Sequence, residues 1–372
     1  MALDIAALTA LAIWLHLLLG RGGFWLMRDS LIEDALPSPA PTVTAVIHAR
    51  NEADVIGRAV ASLSAQQYPG AFHIVVVDDD SRDGTAAAAR AAGSEHLSVI
   101  HAAPLQPGWT GKLWAVSQGV QEAERLAPDY LLLTDADIVH PPEHLSSLVA
   151  HAKRGGYDLV SVMVTLRCQT LAERALMPAF VFFFFMLYPP AWIRDPRHRT
   201  AGAAGGCMLI RRETLERIGG ITRIRGELID DCALARAVKQ EGGRVWLGLR
   251  TSAESIREYG TFGEIGRMIS RTAFTQLRHS WLVLTGTAIV MALTYLAPPI
   301  AALSGSRWGM VAWLLMCVAY LPALRFYRRS VFWAPLLPFV AAFYLGATID
   351  SAIAYHRGTG GLWKGRSQAL KQ

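Results

Sequence analysis

The sequence predicts an α/β domain on a mostly parallel sheet, set between membrane helices at the N-terminal and C-terminal ends. Three observations predict it. Hydrophobic residues make up 52% of the 372 positions and charged residues only 18%, with a mean hydropathy of +0.27, too apolar for one soluble fold with an ordinary surface. The long apolar runs are segregated to the two ends of the chain. Between them, short β-branched runs alternate with helix-like stretches, the pattern of βαβ units. The formal charge of +6 suits basic loops that face anionic lipid. No Lys/Arg-rich run is interleaved with aromatics, so no nucleic-acid partner is expected.

Residues 5–19 form the first apolar run, with Asp4 before it and Arg21 and Arg28 after it. A signal peptide carries its positive charge before the run, so an uncleaved anchor over 1–28 is expected. Strands are expected at 43–49, 73–79, 97–102, 130–137 and 158–164, each reading as buried on both faces. Helices are expected at 52–67 and 84–93. An amphipathic helix over 261–281 presents Phe262, Ile265, Met268, Ile269, Ala273, Phe274 and Leu277 roughly on one side, with Arg267, Arg271 and Arg278 available to lipid phosphates. Apolar stretches at about 282–303, 309–324 and 331–354 approach the length needed to cross a bilayer. The division is therefore 1–28 anchor, 40–260 catalytic domain, 261–281 interface helix, 282–354 membrane segments and 355–372 basic tail. Arg325, Arg328 and Arg329 place the turn before 331 on the side of the central domain, the cytoplasmic side. If 331–354 also spans, Arg357, Lys364, Arg366 and Lys371 fall on the opposite side against the positive-inside rule. Pro335, Pro338 and Asp350 leave a re-entrant or tilted path open.

Polar residues crowd at the ends of the expected strands: Arg50, Asn51 and Glu52 after the first, Asp78, Asp79 and Asp80 after the second, Asp135 and Asp137 after the fourth. Parallel sheets bind ligands there. No G-x-G-x-x-G follows the first strand and no G-x-x-x-x-G-K-[ST] occurs, which disfavours a dinucleotide oxidoreductase and a P-loop enzyme. Asp135 and Asp137 on one side of an extended chain can share a hard divalent cation, or simply cap the next turn. The Asp78–Asp80 run offers carboxylates to a ribose or a base edge, and Ser81 or Asp83 can cap the following helix. Asp230 and Asp231 open another helix, where the dipole favours ionised carboxylates; one of them can serve as a general base.

Taken in order, I-H-A-R-N-E ending at Glu52, D-D-D-S-R-D-G-T, D-A-D at 135–137, G-G-C-M-L-I-R-R-E-T-L-E-R-I-G-G at 205–220 and Asp230-Asp231 resemble the motif set of family 2 glycosyltransferases with the Rossmann-like GT-A fold. The resemblance covers about 42–281. Membrane segments at both ends narrow it to a lipid-modifying branch, and G-W-T-G-K-L-W-A at 108–115 looks most like the hopanoid (hopene)-associated glycosyltransferases of bacteria. It implies that Glu52 and Asp79 contact the nucleotide, Asp135 the ribose and diphosphate region, Asp137 the metal (Mg2+ or Mn2+), and that Asp231 is the base. It also brings Lys112 to the donor's diphosphate or sugar. The branch carries Q-x-x-R-W near the interface helix. Here the residues are Gln276, Arg278 and Trp281 at a different spacing, expected to serve the leaving group or stack an acceptor. His48 stands where the family's first motif has Pro. Trp363-Lys364-Gly365-Arg366 resembles a W-K-G-R close found in some membrane glycosyltransferases.

The expected activity is inverting transfer of a sugar from a nucleotide sugar, UDP-linked, to a lipid hydroxyl such as that of a hopanoid, at the bacterial inner membrane. A polysaccharide synthase and a non-catalytic membrane scaffold are the alternatives. Three further features weigh less. The four cysteines lack a C-x-x-C pair and read as reduced thiols. Phe182–Phe185 are expected to dip into the membrane or line an acceptor tunnel rather than fill the core. Pro141 and Pro142 argue against His140 and His144 acting as a metal pair.

Overall fold

The computed structural model describes residues 2–28, 31, 36–364 and 366–367. Helix α1 (Ala2–Gly20) opens the chain. The central domain then runs β1 (Val43–Ala49), α2 (Ile56–Ser64), β2 (Phe72–Asp78), α3 (Thr85–Ala92), β3 (Leu97–His101), α4 (Gly111–Glu124), β4 (Tyr130–Asp135), β5 (Ile138–Val139), α5 (His144–Gly155) and β6 (Leu159–Leu166). It continues through α6 (Leu171–Leu187), α7 (Pro190–Arg194), β7 (Cys207–Arg211), α8 (Arg212–Arg217), α9 (Asp230–Gln240) and β8 (Val245–Ser255). The last part holds α10 (Phe262–Ser270), α11 (Ala273–Gln276), α12 (Trp281–Met291), α13 (Ala297–Leu303), α14 (Arg307–Phe326) and α15 (Leu337–His356), then a small ribbon of β9 (Leu362–Trp363) and β10 (Arg366–Ser367).

Among the described residues the main sheet has eight strands in the order β3-β2-β1-β4-β7-β6-β8-β5. β1 pairs in parallel with β2 and β4, β2 with β3, and β6 with β8. β7 runs antiparallel between β4 and β6, and β5 antiparallel to β8. The sheet is thus more mixed than the βαβ pattern implies, because the 205–220 segment supplies a reversed strand. β1, with the chain's VTAVIHA run, is buried along its whole length, whereas β3 is an edge strand and half-exposed rather than buried on both faces. Strand order reverses around β1, so the loops after β1, β2 and β4 open onto one crevice.

Among the described residues five helical stretches are long and apolar enough to cross a membrane: Leu3–Gly20, Leu171–Arg194, Trp281–Leu303, Arg307–Phe326 and Val331–His356. They are not equivalent. Asp4 accepts a hydrogen bond from Ser306 Oγ at 3.0 Å, pinning the start of α1 to the turn between α13 and α14. At the other end Arg21 Nε donates to the Met186 carbonyl at 2.9 Å, and Tyr327 Oη, just past α14, accepts from Leu166 N at 3.3 Å. Trp14, fully buried, donates from Nε1 to the Thr294 carbonyl at 2.8 Å, inside a π-helical stretch at Ala292–Leu296 between α12 and α13. These contacts bind α1, α12–α13 and α14 into one bundle with the central domain at its near end.

α6 and α15 keep both flanks against the domain. Thr170 caps α6 and donates to the Tyr259 carbonyl at 2.9 Å, while Tyr188 bonds Gln276 at its other end. α15 runs beside α10 and α11: Phe343 meets Phe262, Ser351 Oγ accepts from Phe274 N at 3.1 Å, and Tyr355 packs on Phe274. Pro335 and Pro338 lie in the 3-10 turn before α15 and in its first turn, so the helix itself is unbroken. The single amphipathic helix expected over 261–281 is instead divided: α10 ends at Ser270, α11 is a short turn, and Arg278 and His279 take left-handed φ of 54° each before α12 begins at Trp281. The basic tail beyond Ser367, and Gly365, lie outside the described residues.

Candidate active site

The loops after β1 and β2 are stitched together by side chains that the sequence places in register. Asn51, at φ 50°, receives a hydrogen bond from Arg82 N at 2.9 Å and donates its own N–H to Ser81 Oγ at 2.9 Å. Glu52 N donates to Thr85 Oγ1 at 2.8 Å, and Asp83 accepts from Ala53 N and from Thr85 at the start of α3. Asp79 is buried beside Arg50, whose guanidinium reaches its carbonyl and, at 3.8 Å, its carboxylate. These contacts fix Glu52 at the mouth of the crevice and leave Asp79 behind it, outside the main cavity.

That cavity has a volume of about 1320 Å3, larger than an ordinary small-molecule pocket. Glu52, Lys112, Asp135, Asp137, Asp230 and Asp231 line one part of it. Asp135 ends β4, but Ala136 and Asp137 form a turn, so the two carboxylates reach the same space through a bend rather than by alternation along an extended strand. Lys112 Nζ, in the first turn of α4 behind the Thr110 cap, stands 3.2 Å from Asp135 and 3.1 Å from Asp230. Burial opposes its charge, yet Asp135, Asp230 and Asp231 raise its proton affinity. Asp231 accepts from Gly205 N at 2.9 Å and Cys232 N at 2.7 Å. Burial and the neighbouring Asp230 push its carboxyl up to about 6, with Lys112 pulling the other way. His48, 3.9 Å from Asp135, is driven down to about 3 by burial and Lys112, and is neutral.

Sequence reasoning missed the second basic group. Arg257, just past β8, donates from Nη2 to both oxygens of Glu52 at 2.8 Å, and its Nε lies 3.5 Å from Asp137. Asp137 also accepts from Ser255 Oγ at 2.5 Å. Lys364 stands 3.0 Å from Glu52 and donates to the Asn51 carbonyl, so the W-K-G-R resemblance marks a residue that reaches the β1 loop. The signal for Arg257 was weak: it sits in a segment without periodicity, and only pairing of β8 with β5 brings it to the D-A-D turn.

Of the expected acceptor or leaving-group residues, only Gln276 lines the cavity. Arg278 is exposed in its left-handed turn. Trp281 begins α12, stacks on His356 and donates to it at 2.6 Å. The break after α10 turns both away. Arg267 and Arg271 line the cavity instead, and neither pairs with a described acid. The Phe run divides by helix face: Phe182 and Phe185 are core, at 0% and 1% exposure, whereas Phe183 and Phe184 line the cavity. From the carboxylates the cavity continues past α6 to Leu17 of α1 and Gly286, Val290 and Met291 of α12. His140 and His144 do approach each other, with ring centroids 5.1 Å apart and Cys207 Sγ 3.5 Å from His144 Nε2. α5 begins at His144 just beyond the prolines, which is how they meet; all three are buried and none lines the cavity.

Residues 44–219 match the model of glycosyl transferase family 2. Just under half of the chain is thus similar to this family. An undecaprenyl-phosphate 4-deoxy-4-formamido-L-arabinose transferase of Pseudomonas fluorescens is 33% identical over 178 residues, 46% of this chain and 47% of that protein. The protein of the same name from Pseudomonas aeruginosa is 32% identical over 126 residues, 33% of this chain and 36% of that one. The match thus spans about half the length of such relatives or less. A mannosyltransferase from Pyrobaculum calidifontis, solved in complex with GDP-Man and Mn2+, has the same fold: TM-score 0.57 at 20% identity, covering 94% of this chain and 99% of that one. The central domain therefore has the GT-A architecture, and the likeness in fold extends over nearly the whole chain.

Proposed function

We propose that the chain is a membrane-bound, inverting glycosyltransferase that moves a sugar from a nucleotide sugar, UDP-linked, to a membrane lipid. The observation that carries this reading is the continuity of the cavity: one space joins the carboxylate cluster to the apolar sides of α1, α6 and α12. A lipid entering between these helices meets the acidic centre with its head group first. The basic flanks at the near end of the bundle, Arg21, Arg28, Arg325, Arg328 and Arg329, support a catalytic domain on the cytoplasmic face of a bacterial inner membrane.

Within the site, Glu52 and Asp79 are assigned to the nucleotide and Lys112 to the diphosphate. Asp135 and Asp137 fit a hard divalent cation, Mg2+ or Mn2+, since two carboxylates from one turn face the same space. Such an ion would neutralise the departing diphosphate. Asp231 takes the proton from the acceptor hydroxyl as its oxygen forms the new bond to the anomeric carbon and the sugar–diphosphate bond breaks on the opposite face. Its raised proton affinity suits that task near neutral pH. The preferred acceptor is therefore a hydroxylated lipid, a hopanoid among them. A second reading, a lipid phosphate acceptor, is favoured by Arg267 and Arg271 in the cavity wall and by the names of the Pseudomonas relatives; such an acceptor needs no base.

The test supplies purified protein with UDP- and GDP-sugars, divalent cation, and either a neutral hydroxylated lipid extract or undecaprenyl phosphate, beside Asp231→Asn. Lipid-dependent nucleotide release that the substitution abolishes supports the hydroxyl reading. Transfer to the phosphate lipid that survives Asp231→Asn supports the second. No lipid-dependent release from any donor would defeat both.

A further inference from the structure

We propose that Arg257 makes divalent-cation binding conditional on a nucleoside diphosphate, by holding a fixed positive charge beside one oxygen of Asp137. The inference rests on the reading of Asp137 as a cation ligand. Asp137 is 8% exposed. One of its oxygens takes the Ser255 hydroxyl at 2.5 Å and faces Arg257 Nε at 3.5 Å.

The guanidinium is not loosely placed. Its Nη2 is held by both oxygens of Glu52 at 2.8 Å, and Glu52 is only 2% exposed and further fixed by Lys364 at 3.0 Å. A divalent ion arriving alone at Asp137 would stand beside a fixed positive charge in a partly buried, weakly screened site, where like charges repel strongly. The other carboxylate of the turn is countered as well, by Lys112 at 3.2 Å from Asp135. A nucleoside diphosphate changes both terms. Its phosphate oxygens supply the cation with further ligands, and its negative charge gives the guanidinium a new partner. Cation and nucleotide then bind as a cooperative pair, and an enzyme without donor holds little metal.

The experiment measures Mn2+ binding to the full chain in detergent, from the electron paramagnetic resonance signal of free Mn2+, with and without UDP. UDP should tighten Mn2+ binding to the unsubstituted protein by about 5- to 150-fold, the usual span of coupling between two ligands. Arg257→Met should tighten Mn2+ binding without UDP by about tenfold and shrink the effect of UDP. Because that substitution leaves the Glu52 carboxylate with one partner fewer, the double variant Arg257→Met/Glu52→Gln carries the same expectation in a charge-matched site. Unchanged Mn2+ affinity in the Arg257 variants, with binding lost in Asp137→Asn, overturns the role of Arg257 alone. Asp137→Asn that binds Mn2+ like the unsubstituted protein overturns the assignment of Asp137, and the inference with it.

Discussion

Asp231 illustrates how a single side chain is tuned by what surrounds it. Two backbone N–H groups steady the carboxylate, while burial and Asp230 raise its proton affinity to about 6. The base form is the ionised one, so turnover should rise with pH through about 6 and level off above it; a pH–rate profile at saturating donor checks this. Asp231→Asn should lower kcat by about 10²- to 10⁴-fold with little change in nucleotide affinity, measured by nucleotide release beside a binding titration. Lys112 opposes the upward shift, so in Lys112→Met the acidic limb should move upward by about one pH unit. The residue types at this centre were legible from the chain because Glu52, Asp135 and Asp137 follow hydrophobic strand runs and Asp230 and Asp231 open a helix. Their counter-charges were not. Arg257 and Lys364 lie 205 and 312 positions from Glu52 in sequence, and no local pattern links them.

At the level of elements, the clearest case is the start of α6. Glu173 has no exposed surface and accepts from Gln169 N, Thr170 N and Tyr259 N besides pairing with Arg167 at 2.9 Å. Burial pushes its carboxyl up, but these donors outweigh it and hold it below the ordinary value. The capping box thereby also ties α6 to the loop that leads into α10. Glu173→Ala should cost about 3 kcal/mol, since it strands several buried donors, read as a lowered melting temperature by intrinsic fluorescence. Strand cores were readable from β-branched runs, and β1 begins and ends where those runs do. What the runs could not reveal was direction: Cys207–Arg211 has the composition of any buried strand, yet it enters antiparallel between β4 and β6. Helical periodicity likewise continued through Thr272 and Arg278, where left-handed backbone and short turns interrupt the helix.

For the molecule as a whole, the contacts of the apolar helices bear on topology. Asp4 and Ser306 meet at the far end of the bundle, and the flanks of α6 and α15 return to the catalytic domain. Such contacts are those expected if α1, α12–α13 and α14 cross a membrane while α6 and α15 lie along its near face, with Arg357 and Lys364 on the same side as Arg329. Cysteines introduced at Ser304 and at Gly358 should then react with an impermeant thiol reagent from opposite sides of sealed vesicles; labelling of both from one side would refute it. The apolar part of the cavity can be tested separately. A side chain added at Gly286 has open space around it, and Gly286→Phe should raise the KM for lipid by about tenfold while nucleotide affinity stays unchanged, since the lost apolar contacts lie far from the donor.

The apolar limb of the cavity has a practical side. Apolar burial is non-directional, so the side chains of α1, α6 and α12 that line this limb can take up the alkyl chain of a solubilising agent as readily as a lipid. Long-chain maltosides should therefore behave as competitive inhibitors, and the apparent preference for acceptors measured in micelles should change in nanodiscs, where the surrounding amphiphiles are two-tailed.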